Sequence, residues 1–235
     1  MLKSKVFCIG FNKTATTSLD KLFQLWGMSS FHGEYHELSF DDRLFDKYQC
    51  FSDGESHDFK GLDQSFQDSK FILNTRKMDD WLVSRIKHVE YRLSNHLETG
   101  WMAKEYTNNP KLALQSWISR RVAYYQNALD YFSAREGTLL IVNVCDCQNQ
   151  RELITSIASF LGVDDFGVLK LPRENLADQR IKGSGPGLKR QLRSFFSKKY
   201  KVRDEKLVRR EVKEALEISQ LPPSEWHSDG FNVSS

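Results

Sequence analysis

With 235 residues, 40% of them hydrophobic and 28% charged, the chain has the make-up of an ordinary soluble protein and is long enough for one α/β domain with a full core. No apolar run approaches the length that spans a bilayer, and Lys3 and Lys5 lead straight into a short apolar strand rather than a secretory signal, so a cytoplasmic protein without a membrane span is expected. The four cysteines, Cys8, Cys50, Cys145 and Cys147, match no zinc spacing and are expected as free thiols, and the net charge of +3 is mild.

The first predicted strand, Lys5 to Ile9, ends at Gly10, and the helix that follows carries Leu19, Leu22, Phe23 and Trp26 at helical spacing until Gly27 stops it. Between them lie Lys13 and a run of small hydroxyl residues, the layout of an anion cradle. Amides at a helix N-terminus point outward unpaired and the helix dipole adds partial positive charge. Lys13 and the hydroxyls of Thr16, Thr17 and Ser18 would add charge and donors. The same residues also read as a strand-to-helix turn with a solvated lysine and ordinary caps.

A second short strand, Ser29 to Phe31, runs into His32 and Gly33; a short helix covers Phe40 to Tyr48; a third strand, Gln49 to Ser52, ends at the turn pair Asp53-Gly54. A connecting helix around Leu62 and Phe66 leads to the clearest buried strand, Lys70 to Thr75, which ends at Arg76. Asp79 and Asp80 suit the positive end of a long helix striped by Leu82, Ile86, Val89 and Leu93. Another helix starts at Asn109-Pro110 and continues through Leu114, Trp117, Ile118, Val122, Tyr125 and Leu129 towards Gly137. Thr138 to Val144 is a second strongly apolar strand, and Gln150 to Leu161 an amphipathic helix closed by Gly162.

This alternation predicts an α/β fold: a mostly parallel sheet flanked by helices on both faces, in a single domain over residues 1–235 with a basic helical C-terminal segment from about 187. That segment, with Lys189, Arg190, Arg193, Lys198, Lys199, Lys201, Arg203, Lys206, Arg209, Arg210 and Lys213, reads first as the solvated face of helices. Binding of nucleic acid, a membrane surface or an anionic ligand is the alternative.

In an open parallel sheet, ligands bind beyond the carboxyl ends of the strands. Here those ends carry Gly10 to Lys13, His32, Asp53, Arg76 and residues 143–146. A Walker loop would need G-x-x-x-x-G-K-[ST], whereas Lys13 lies three residues after Gly10, and neither strongly apolar strand ends directly in a magnesium-binding acid.

Lys13-Thr14-Ala15-Thr16-Thr17-Ser18-Leu19 resembles the 5′-phosphosulfate loop of sulfotransferases, commonly K-[ST]-G-T-T-x-[LW]. Lys70-Phe71-Ile72-Leu73-Asn74-Thr75-Arg76, followed by Trp81 and Ser84, resembles the family's 3′-phosphate motif, a strand-end arginine with a serine eight residues on. The resemblance spans roughly the first 90 residues, anchored by those two motifs. It implies a P-loop-like three-layer sandwich and 3′-phosphoadenosine 5′-phosphosulfate as sulfuryl donor, with no metal. Lys13 and the backbone of Thr14, Ala15, Thr16 and Thr17, with Ser18, would hold the 5′ side of the donor. Arg76 and Ser84 would hold its 3′-phosphate, and Lys182-Gly183 would be the counterpart of the family's basic closing loop. An acceptor hydroxyl, by family habit of a carbohydrate or glycoconjugate, would give its proton to a histidine or carboxylate. His32 and Asp53 rank first for that task, Glu34 next, and His36 and His57 read as surface residues.

Ala15 stands where the family has glycine, a substitution that strains the loop if the position has positive φ and is harmless if it is helical. The aromatic residues Trp117, Tyr124, Tyr125, Tyr131 and Phe132 read as helix packing first and an acceptor pocket second. A nucleotide-dependent P-loop kinase and a noncatalytic anion- or nucleic-acid-binding protein are the competing functional readings.

Overall fold

A computed structural model describes residues 4–33, 35–53, 58–95, 97, 100–164, 167, 168, 170–172 and 203–219. These residues gather into two compact units, the first built from residues up to 76 and from 121–174, the second from 77–120 and from residues beyond 174. The predicted Lys182–Gly187 loop and most of the basic segment lie outside the described residues.

The first unit holds a five-stranded, all-parallel sheet. Its strands are β1 (Val6–Cys8), β2 (Ser30–His32), β3 (Cys50–Ser52), β4 (Lys70–Asn74) and β5 (Leu139–Val142), in the spatial order β2-β3-β1-β4-β5. Pairing of Phe7 with both Phe51 and Phe71 aligns three rings on one face of the sheet. Ring centroids there lie 5.4 and 5.6 Å from Phe7. The helices α2 (Arg43–Lys47) and α6 (Pro110–Phe132) add Phe45 and Phe132 to this layer, and Phe66, just past α3 (Phe59–Ser65), completes it.

Because side chains alternate along a strand, Val6, Cys8, Cys50, Ile72 and Val142 point to the opposite face. There they meet Leu19, Leu22 and Phe23 of α1 (Thr16–Leu25) and Ile154 and Ile157 of α7 (Gln150–Leu161). The sheet is therefore covered on both faces, and its strands read as continuous apolar runs. α1 ends as the sequence predicts: Gly27 has φ 71°, its amide bonds Gln24 O at 3.0 Å, and the Met28 amide bonds Phe23 O at 3.0 Å, the paired closure of a Schellman cap.

The second unit contains α4 (Met78–Ser94), α5 (Trp101–Asn108) and α8 (Glu205–Ile218), together with the first half of α6. The sequence reading has no element between the helices at Leu93 and Asn109; α5 lies there. It is short and rich in Lys, Glu, Thr and Asn, and only Met102, Ala103 and Tyr106 bury one edge of it. α8 buries Val208, Val212, Ala215 and Leu216 and packs on α4. A charged joint accompanies this packing. The buried Glu90 carboxylate accepts from the Arg203 guanidinium and, at 3.0 Å, from the Arg203 amide; Arg203 also pairs with Glu211 at 2.7 Å. Arg209 pairs with Asp80 and Glu205, Arg210 with Glu214 and Lys213 with Glu217, so these basic residues are answered locally. No helix among the described residues is long and apolar enough to cross a membrane.

All four cysteines are free. Burial pushes the thiols of Cys8 and Cys50 well up, whereas Cys145 and Cys147 are half-exposed. A thiol reagent at about pH 8 should therefore modify only Cys145 and Cys147 in the native protein, and all four positions once it is denatured, as read by intact mass.

Candidate active site

The strand order creates a switch point: the connection from β1 leads to the β3 side of the sheet, that from β4 to the β5 side, so the crevice in which open parallel sheets take ligands falls by topology at the carboxyl ends of β1 and β4. Gly10 lies at that point, buried between the two strands. The ladder between the two strands continues past their ends, first with the Ile9 amide on Ile72 O at 2.9 Å, then with the Gly10 amide on the side chain of Asn74, Oδ1, at 3.0 Å. The approach is so close that a Cβ on Gly10 would fall 2.0 Å from Asn74 O. Only glycine passes there.

Asn74 is fully buried, and its Nδ2 donates to Thr14 Oγ1 at 2.6 Å and to Thr14 O at 3.5 Å. The Thr14 hydroxyl in turn donates to Phe11 O, which turns its side chain inward and leaves only its backbone for a ligand. Arg76 Nη1 donates to Lys13 O at 3.2 Å, and the buried Arg121 donates to Arg76 O. Lys13 and Arg76, placed at neighbouring strand ends by the sequence, are thus joined through the backbone of the loop. Arg76 Nε is buried without a hydrogen-bond partner among the described residues, a donor that an anion in the crevice would satisfy.

Tyrosines hold the end of β1. Tyr35 donates to Cys8 O at 3.0 Å and Tyr124 to Ile9 O at 2.8 Å; Tyr125 accepts from the Phe11 amide at 3.2 Å and donates to Asn74 O at 2.9 Å. Burial pushes the Tyr35 and Tyr124 hydroxyls well up, which keeps them protonated as donors. Tyr124, Tyr125 and Phe132 accordingly serve packing and loop support, Tyr131 bonds Asp63 at 2.7 Å, and the buried Trp117 donates to Glu105 at 3.1 Å. The packing reading of these aromatics holds.

The loop has two non-glycine residues in the left-handed region, Lys13 at φ 69° and Ala15 at φ 67°, ψ 30°. Ala15 is the N-cap of α1 and supplies no side-chain cap, while its carbonyl receives the Ser18 and Leu19 amides at 3.0 and 3.1 Å. The alanine is therefore at a position with positive φ, where it carries strain of about 1–2 kcal/mol. Thr16 and Ser18 are buried and Thr17 is half-buried on the first turn.

His32 and Asp53, at the ends of β2 and β3, come to the same turn. His32 Nε2 lies 3.2 Å from both the Thr16 and the Thr17 hydroxyl oxygens, and the Thr16 hydroxyl reaches Asp53 Oδ1 at 3.5 Å. Asp53 itself has φ 80°. Ser84 is half-buried in the second turn of α4, within the second unit. Glu34, His57, the side chain of His36, and Lys182 and Gly183 lie outside the described residues. Tyr35 and Arg121 are site-building residues that the sequence reading does not name, and Asn74 is one that it quotes within a motif without a role; a polar side chain closing an otherwise apolar strand was the available signal for Asn74.

Comparison with protein-family models and with curated proteins finds no match to this chain. Gly10→Ala should destabilise the protein by about 3 kcal/mol in urea unfolding, because the methyl group meets backbone rather than a movable side chain.

Proposed function

We propose that this chain is a sulfotransferase that moves a sulfuryl group from 3′-phosphoadenosine 5′-phosphosulfate to an acceptor hydroxyl of a carbohydrate or glycoconjugate. The observation that carries the reading is the meeting of Lys13 and Arg76 at the switch point, on a loop leading into a helix N-terminus without a side-chain cap. A crevice with lysine, an arginine donor left over and outward helix amides suits the dianionic phosphosulfate end of the donor. The motif resemblance supplies the identity of that donor.

In this reading the acceptor oxygen attacks sulfur, the bond from sulfur to the bridging oxygen of the 5′-phosphate breaks, and 3′-phosphoadenosine 5′-phosphate departs. Lys13 offsets the charge that grows on the bridging oxygen, and the backbone of residues 14–17 holds the phosphate. His32 takes the acceptor's proton. With the Thr16 hydroxyl turned towards Asp53, its oxygen lone pair faces His32 Nε2–H, which leaves Nδ1 as the accepting nitrogen. Asp53 orients this arrangement through Thr16.

A second reading, a magnesium-dependent P-loop kinase, is favoured by one observation: a loop hydroxyl and a neighbouring strand-end carboxylate, here Thr16 and Asp53, are what P-loop enzymes use to hold magnesium. Against it, His32 Nε2 stands against the same hydroxyl, where a hard cation takes oxygen ligands.

Thermal stabilisation separates the readings. A rise in Tm with 3′-phosphoadenosine 5′-phosphate in the absence of magnesium supports the sulfotransferase, a rise only with ATP and magnesium supports the kinase, and steeply salt-dependent binding to a polynucleotide supports a nucleic-acid-binding role. Lys13→Ala should lower kcat about 100-fold or more with a smaller effect on donor affinity, and unchanged turnover would remove Lys13 from the mechanism. In pH–rate profiles, His32→Ala should abolish the acidic limb while Asp53→Asn keeps it at reduced rate.

A further inference from the structure

We infer that Asn74 is a positioning residue that holds Ala15 in its left-handed conformation and so sets the geometry of the anion cradle. Its role as a cradle residue rests on the sulfotransferase reading; its role as a lock does not.

An alanine at φ 67° is held against its own preference, and the surroundings must supply the difference. The residue immediately before it, Thr14, is gripped by Asn74 Nδ2 at both its hydroxyl and its carbonyl oxygen. The residue before that, Lys13, also at positive φ, has its carbonyl fixed by Arg76, two positions further along the same strand end. Meanwhile Asn74 Oδ1 receives the Gly10 amide at the other end of the loop. One buried amide thus clamps both ends of the Gly10–Thr14 turn. Its own placement is set by Tyr125, whose hydroxyl bridges Asn74 O and the Phe11 amide. Where the 5′-phosphosulfate motif has glycine, whose left-handed conformation carries no such penalty, this chain combines alanine with a lock on the neighbouring strand.

The test is a cycle of wild type, Asn74→Ala, Ala15→Gly and the double variant, with two readouts. In ligand-free protein, hydrogen exchange of the Ser18 and Leu19 amides, which bond Ala15 O, reports the conformation of the turn. Asn74→Ala should speed their exchange at least 10-fold, and adding Ala15→Gly should return it to within about 3-fold of wild type, because glycine adopts positive φ without the lock. The affinity for 3′-phosphoadenosine 5′-phosphate by calorimetry should follow the same pattern, a loss of about 10-fold restored in the double variant. Should Asn74→Ala not fold, Asn74→Asp carries the cycle, since it keeps the acceptor for Gly10 and removes the donor to Thr14. Exchange unchanged in the single variant, or unrescued by glycine, overturns the lock whatever the ligand does. Exchange altered and rescued, with no binding of 3′-phosphoadenosine 5′-phosphate by wild type, leaves the lock standing and overturns the sulfotransferase reading. Binding by Asn74→Ala as tight as wild type overturns the cradle role of Asn74.

Discussion

The arrangement at the switch point depends on one close pass, Gly10 over the backbone of Asn74. Because a hydrogen atom is all that separates the two chains there, the ladder between β1 and β4 extends one rung beyond the strands, with a side-chain oxygen in place of a carbonyl. From that rung the loop turns back on itself, and Lys13 arrives beside Arg76. A buried amide or carbonyl left without a partner costs about 1–3 kcal/mol, so a loop that leaves its strand this deep in the structure must find side chains to answer its backbone. Asn74, Tyr35, Tyr124 and Tyr125 are those side chains.

Much of this architecture is legible in local pattern. Val6 to Cys8, Phe71 to Leu73 and Leu139 to Val142 are apolar because both faces of the sheet are covered, and Gly27 and Gly162 end their helices where the periodicity stops. The strand ends that carry Lys13, His32, Asp53 and Arg76 were readable for the same reason. What did not show was the cross-chain support. The Tyr125 hydroxyl meets an amide 114 positions away, and Asn74 meets Gly10 across 64. Periodicity reports which face a residue occupies, not which distant backbone group its polar tip will reach. Ala15 illustrates the boundary: the resemblance to the sulfotransferase loop marked it as the residue to watch, but only the backbone angle decided between strain and harmlessness.

The charge pattern divides in the same way. Counting lysines and arginines marks the segment around α8 as basic, yet the count cannot see that Arg209 reaches back to Asp80 on α4, or that Arg203 closes on Glu90 and Glu211. Exposed pairs such as Arg210–Glu214 contribute little to stability. The Glu90–Arg203 pair is different, because a carboxylate 1% exposed cannot be left without its partner, and it selects where α8 docks along α4.

That pair has a consequence for the order in which the chain acquires structure. Each unit is assembled from two separate stretches, so a ribosome delivers the first part of both before the second part of either. α4 emerges with an apolar stripe and with Glu90, and Arg203, which pairs with that carboxylate, is made 113 residues later, directly ahead of the helix that packs on the stripe. Until α8 is made, the part of the α4 stripe that it covers lacks its partner, and a partly made chain carries apolar surface that the finished one buries.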